Sequence, residues 1–212
     1  MKYQGIKHII TACLGVCTLI ACNDNLEITP PSSIIPEDYL KEESQLDSYI
    51  INRYTGLPNS SGGVGLDNGT DNEAGMDFSN KYTDGDWKVG ETGGEWNFEE
   101  IYQLNYFLDR VLPMYQNGEI SGSKENIEHY IGEAYLLRAV AYYNKLVSLG
   151  DFPIVRHTFV DDKQQLTEAS KRMPRNEVAR FIISDLDSAA VLMKSTAPDG
   201  KKNRMYKDIA YL

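Results

Sequence analysis

Cysteine and histidine are nearly missing from this sequence, at three apiece in 212 residues. Two of the cysteines, Cys13 and Cys17, lie in an N-terminal apolar run that reads as a cleavable leader. Once it is removed, Cys22 is the sole thiol, so a disulfide framework and a cysteine-ligated zinc site are both excluded for want of a second one. His129 and His157 stand alone, with no nearby serine or cysteine to complete a nucleophilic pair. Positive charge is also in deficit, 21 Lys and Arg against 31 Asp and Glu, for a net charge of −10. Loss of residues 1–21 removes Lys2 and Lys7 and no acid, leaving −12. Such a surface argues against nucleic acid, whose phosphates need Lys and Arg to neutralise them. A long hydrophobic run is missing too. Residues 9–21 form an apolar segment of thirteen residues, short of the ~20 that cross a bilayer.

What the N-terminus does have is a basic start, that short apolar core and the tetrapeptide Leu19-Ile20-Ala21-Cys22. The first two features predict a secretory signal over residues 1–21. The tetrapeptide resembles the bacterial lipobox, in which the cysteine is acylated and becomes the mature N-terminus. Cys22 is therefore the expected lipidation site, carrying palmitate-type chains. Each buried CH₂ adds about 0.8 kcal/mol, and two or three chains hold a protein firmly where one does not. Residues 22–36 hold Pro30, Pro31 and Pro36 with serines between them and are expected to form a tether.

Residues 37–212 read as helices with one interruption. A first helix is expected from about Glu37 to Tyr54, carrying Leu40, Leu46, Tyr49, Ile50 and Tyr54. Residues 56–95 then hold ten glycines among Asp, Asn, Ser and Thr, the composition of a long irregular loop. A helix over about 97–112 puts Phe98, Ile101, Tyr102, Leu108 and Val111 or Leu112 on one face, with Pro113 as a kink or an end. Ser123 suits the N-cap of a long helix to Leu149, and Gly150 with Pro153 stops it. Gly132, Ala134, Ala139 and Ala141 in that helix leave room for a close neighbour, beside the bulk of Tyr130, Tyr135, Tyr142 and Tyr143. DFPIVRHTFV after it can hold a short extended segment. Pro174 opens another helix, with Val178, Phe181, Ile182, Leu186, Ala189 and Met193 at three- and four-residue steps. A last helix begins near Asn203, and nothing caps its apolar IAYL, so the domain is expected to be truncated at its C-terminus. Paired helices with alternating small and large residues predict an all-α, tetratricopeptide-like array.

Four stretches carry a more specific likeness. IGEAYLLRAVAYYNKLVSLGDFPIV (residues 131–155) closely resembles the signature helix of the SusD/RagB family of outer-membrane lipoproteins, with Glu133, Ala134, Tyr135, Arg138, Ala139, Tyr142, Gly150, Asp151 and Pro153 matching as they stand. WNFEEIYQLNYFLDRV, with Trp96 and Asn105, is similar to the family's preceding helix. RMPRNEVARFIISDLDSAA, with Arg172, Glu177, Ile182, Asp185, Leu186 and Ala189, is similar to its next helix. CNDNLEITPPSSI is similar to its lipidated N-terminus. The resemblance implies a surface-exposed, lipid-anchored protein of the cell outer membrane. Such a protein binds nutrient, a glycan ahead of a peptide, and passes it to a SusC-like TonB-dependent transporter. It implies no enzymatic activity and no cofactor. Members of the family are generally more than twice as long. The alternative is a lipid-anchored helical scaffold that holds partner proteins and binds no nutrient.

Sugar recognition calls for flat aromatic faces beside polar side chains. Tyr82 and Trp87, near Asp84, Asp86 and Lys88, are candidate ligand contacts, as is Trp96 at the loop's exit. A packing role competes in both tryptophans: Trp87 pinning the loop, Trp96 capping the helix pair it begins. Asp67, Asp71, Glu73 and Asp77 have no EF-hand spacing, because Gly69 stands where a ligand is needed. They read as a solvated acidic loop, and no metal site is expected. Glu91, Glu95 and Glu99 could pair as glycosidase carboxylates only at a fixed separation of about 5–9.5 Å, which a glycine-rich loop does not set. Glu133, Arg138 and Asn105 are expected in a polar network between helices, since a buried amide or charge must find partners.

Overall fold

The computed structural model describes residues 39–56, 96–200 and 204–211. The chain divides into two units, Met1–Tyr39 and Leu40–Leu212, and the second is described here. The leader, the tether with Cys22, and the loop with Tyr82, Trp87 and the acidic cluster lie outside the described residues.

The first helix, α1 (Glu43–Ile51), starts later than periodicity suggests. Leu40 has a left-handed φ of 70°, and the next residues pair with Ser121 as a short parallel bridge. The Ser121 amide donates to the Lys41 carbonyl, and the Glu43 amide donates to the Ser121 carbonyl, both at 2.9 Å. Backbone committed to that bridge cannot also be helical. A 3₁₀ turn (Asn52–Gly56) follows α1.

Helix α2 (Glu99–Gln116) begins when the Asn97 side chain accepts the Glu99 amide at 2.7 Å. It continues through Pro113, which therefore does not end it. Proline removes one amide donor there, but only in the last turn, where a single bond is lost. The buried face is Ile101, Leu104, Phe107, Leu108, Val111 and Met114. Tyr102, expected on it, is half exposed at 50%.

The central element is α3 (Lys124–Leu149). Ser123 stands at its N-cap as expected, but its side chain makes no capping bond; its amide instead donates to the Glu43 carboxylate at 2.7 Å. Gly150, at φ 76°, terminates the helix in a backbone conformation that favours glycine. The helix packs against α1 and α2, and most extensively against α5 (Arg175–Leu192). Its first half is therefore buried nearly all round, while Tyr143 and Val147 further along are exposed. Gly132 sits where the crossing is tightest. A Cβ added there would lie 2.5 Å from Met193 Cγ and 3.1 Å from the Met193 amide nitrogen.

After α3, Phe152 and Met173 form an antiparallel bridge with both amide bonds made, at 3.2 and 3.1 Å. Between them lies α4 (Lys163–Ala169), a short helix absent from the periodic pattern because none of its residues is buried. Asp162 caps it by accepting the Gln165 amide. Pro174 opens α5 from the N-cap position. The last element is a 3₁₀ turn (Lys207–Tyr211), not an α-helix from Asn203.

The core joins Ile101, Ala139, Tyr142, Phe152, Val178, Phe181 and Ile182 in one cluster, and Leu136, Ala189, Ala190, Met193 and Ala210 in another. Each fully buried large side chain contributes about 1.5–3 kcal/mol. The architecture is all-α and tetratricopeptide-like, a set of helices packed on α3, with only isolated bridges among the described residues. No helix among them is long and apolar enough to cross a membrane.

Candidate functional site

Two buried polar centres organise α3. In the first, Arg138 donates to both oxygens of Asp185, at 2.7 and 2.8 Å, and to Asn105 Oδ1 at 2.8 Å. Asn105 in turn donates to the Val155 carbonyl at 2.8 Å. Tyr142 completes the arrangement, its hydroxyl accepting the Val155 amide and donating to the Val155 carbonyl. Burial pushes the Asp185 carboxyl above its ordinary range, while the Arg138 guanidinium pulls it back. A carboxylate held at both oxygens is a strut rather than a proton acceptor.

The second centre is Glu133, fully buried. It accepts from Arg204 Nε and Nη2 and from the Tyr54 hydroxyl. His129 Nε2 lies 3.3 Å from the same carboxylate, and His129 Nδ1 accepts the Lys194 amide. Arg204 also reaches Asp47. The expected network around Glu133, Arg138 and Asn105 is thus present. Its partners Asp185 and Arg204 were not legible as partners, since pairing over 47 and 71 positions has no local signature.

Of the candidate ligand contacts, only Trp96 is among the described residues. Its half-buried indole stacks on Phe152 with ring centroids 5.8 Å apart, and the Arg172 guanidinium lies 4.4 Å from its centre. Phe98 stacks on the same Phe152 at 4.8 Å. These contacts pin the entry of α2 onto the core, the packing role weighed for Trp96.

Two depressions flank Ile101. One is a cleft of about 410 Å³ whose rim includes Arg53, Asn97, Glu99, Glu100, Asn144 and Ser148. Arg53 precedes the long loop in the sequence and Asn97 follows it, and both line this cleft. Arg53 Nη1 and Glu100 Oε2 face each other at 3.7 Å. Sequence reasoning missed this pair, since an isolated arginine and glutamate carry no motif. The other is a groove of about 310 Å³ lined by Phe98, Tyr102, Phe159 and Leu166, with His157 at its edge. Asp109 holds that edge, paired with His157 Nδ1 at 2.7 Å and accepting from the Thr158 amide and hydroxyl. Among the described residues no group of three or more His, Cys, Asp or Glu side chains is placed to hold a metal ion.

No protein-family model matches the chain. Two curated SusD-like proteins of Formosa agariphila do. SusD-like protein P25 is 25% identical over 222 aligned residues, 95% of this chain and 41% of the relative. SusD-like protein P2 is 26% identical over 211, covering 93% and 39%. The chain thus spans about two fifths of the length of these relatives. A solved SusD homolog from Bacteroides thetaiotaomicron aligns over 82% of this chain and 35% of its own, with a TM-score of 0.54 at 18% identity, a likeness of fold. Asn105, Arg138 and Asp185 come from three separate family-like stretches and meet in one buried cluster. The chain is thus similar to SusD-like proteins along nearly its whole length, at 25–26% identity.

Proposed function

We propose that the chain is the N-terminal helical part of a surface-exposed outer-membrane lipoprotein. It captures nutrient, a glycan ahead of a peptide, and delivers it to a SusC-like TonB-dependent transporter. Its mode of action is reversible capture without covalent chemistry. The observation that carries this reading is the match to SusD-like relatives over 95% of the chain. Acylated Cys22 holds the protein at the membrane, residues 22–36 tether it, and the helices dock on the transporter. Tyr82 and Trp87, with Trp96 at the loop's exit, supply ligand contacts. A non-catalytic role accords with the use of Glu133 and Asp185 as struts, each engaged by an arginine.

The test is a pull-down from the native outer membrane with the intact mass of every eluted chain. A species acylated at Cys22, eluting with a large barrel protein and released from the membrane by Cys22→Ala, is expected. The unprocessed chain in the cytosol would overturn the proposal. A lipidated chain that elutes with other proteins and retains no glycan would favour an anchored scaffold.

A further inference from the structure

We infer that the groove between α2 and α4 binds a small phenol, its ring against the apolar walls and its hydroxyl donating to His157 Nε2. The inference is independent of the capture reading, which stands whether or not this site does.

The walls come from two directions. Phe98, Ile101 and Tyr102 belong to the entry of α2, while Leu166, Ala169 and Ser170, at three- and four-residue spacing, place one face of α4 on the groove. No residue of α4 is buried. Leu166 is 43% exposed, Phe159 39% and Tyr102 50%, so apolar surface gathered in a concave site is left to water. An apolar ligand relieves that exposure. The groove encloses about 310 Å³, the low end of small-ligand sites, and Phe98, Tyr102 and Phe159 offer rings for offset or edge contacts with another ring.

Most polar side chains of the lining are spent on the protein itself. Asn105 accepts from Arg138 and donates to the Val155 carbonyl. The Thr158 hydroxyl donates to Asp109, and the Ser170 hydroxyl to the Thr167 carbonyl. The several hydroxyls of a sugar would find few partners here. Among the described residues two lining groups remain without one, the Tyr102 hydroxyl and His157 Nε2. A carboxylate only accepts, so the His157 Nδ1 that lies 2.7 Å from Asp109 Oδ1 carries the proton. In the neutral ring Nε2 is then a pure acceptor, on a side chain 72% exposed. Asp109 is itself held by the Thr158 amide and hydroxyl, which fixes the ring it orients. One acceptor beside an apolar groove matches a ring with one donor. An aromatic acid would instead bring its charge close to Asp109.

The test measures binding of para-cresol, its methyl ether and the tripeptide Ala-Tyr-Ala to the purified chain at about pH 8.5, where a free imidazole is neutral and a phenol keeps its proton. Cresol is expected to bind with a dissociation constant of about 10 mM or below, as a ligand of its size can. It should bind about fivefold more tightly than the ether, the effect of one hydrogen bond. His157→Ala should abolish that preference and leave ether binding unchanged, while Tyr102→Phe should preserve it. The His157 ¹⁵Nε2 resonance should move with cresol and stay still with the ether. Leu166→Ala, on a helix with no buried residue, should weaken both ligands with helicity by circular dichroism unchanged. Equal affinity for cresol and ether, or a preference that survives His157→Ala, overturns the phenol assignment. No cresol binding at about 10 mM overturns the site. A tripeptide that binds about tenfold more tightly than cresol, or tighter still, overturns the small-molecule reading in favour of a peptide side chain.

Discussion

Arg204 and Glu133 form a fully engaged ion pair inside the protein, with Nη2 2.7 Å from Oε2 and Nε 3.0 and 3.1 Å from the two carboxylate oxygens. Glu133 has no solvent exposure and Arg204 has 8%. Through Asp47 and Tyr54 the same pair reaches α1 and the turn after it. Tyr54 adds a second link, its hydroxyl accepting the Met205 amide at 3.1 Å. Burial first, and the Glu133 charge second, push that phenol far above its ordinary range. One carboxylate on α3 therefore ties both ends of the described fold.

Glu133→Ala should destabilise the protein by about 3–5 kcal/mol, because Arg204 is left as an uncompensated buried charge. Glu133→Leu with Arg204→Met should recover much of that, since no charge then remains to desolvate. Urea unfolding followed by circular dichroism measures both. A single mutant as stable as the parent would show that the pair does not hold the fold.

The Arg138–Asp185 pair, with side chains 6% and 4% exposed, should behave the same way but locally. Asp185→Ala is expected to cost about 3–5 kcal/mol. Arg138→Ala should cost more than the ion pair alone accounts for, because Asn105 Oδ1 loses its donor too. A double-mutant cycle isolates the coupling, expected at 1 kcal/mol or more.

Gly132→Ala should destabilise by about 1–3 kcal/mol through overpacking. The added methyl meets Met193 Cγ at 2.5 Å, a flexible atom that can move, and the Met193 amide nitrogen at 3.1 Å, which cannot move without shifting the end of α5. Met193→Ala in the same chain should recover part of the loss. Thermal melts of the three proteins decide it.

Alkaline pH should weaken the fold through Tyr142. Burial is the main cause that pushes this phenol up from 10.0 to about 12. Unfolded, it loses its proton near pH 10; folded, it keeps it to about 12. In that window the unfolded chain binds fewer protons, so stability falls as pH rises, by about 1.4 kcal/mol per pH unit for this group. Urea midpoints at pH 9.5, 10.5 and 11.5 should decline, and Tyr142→Phe should flatten the slope.

Helix punctuation was legible from the chain alone at some local signals, though not at Pro113, which its helix passes through, nor at the Asp162 cap of α4. Pro174 and Gly150 bound their helices by their own backbone limits, and the small residues of α3 announced a close crossing that Gly132 and Met193 realise. Family words likewise sit in contiguous stretches. A need for partners at Asn105, Glu133 and Arg138 could be read from residue type and place, and so could a packing role for Trp96. The identity of the partners could not. Asp185 and Arg204 look like any other surface charges in so acidic a sequence, and Arg53 faces Glu100 only because α2 and the turn after α1 come together. The start of α1 was likewise set from outside, by the bridge to Ser121. Local sequence determines which backbone conformations and faces are cheap. Which distant charge can enter the interior is decided by tertiary packing, because only the finished fold removes the water that would otherwise solvate each one separately.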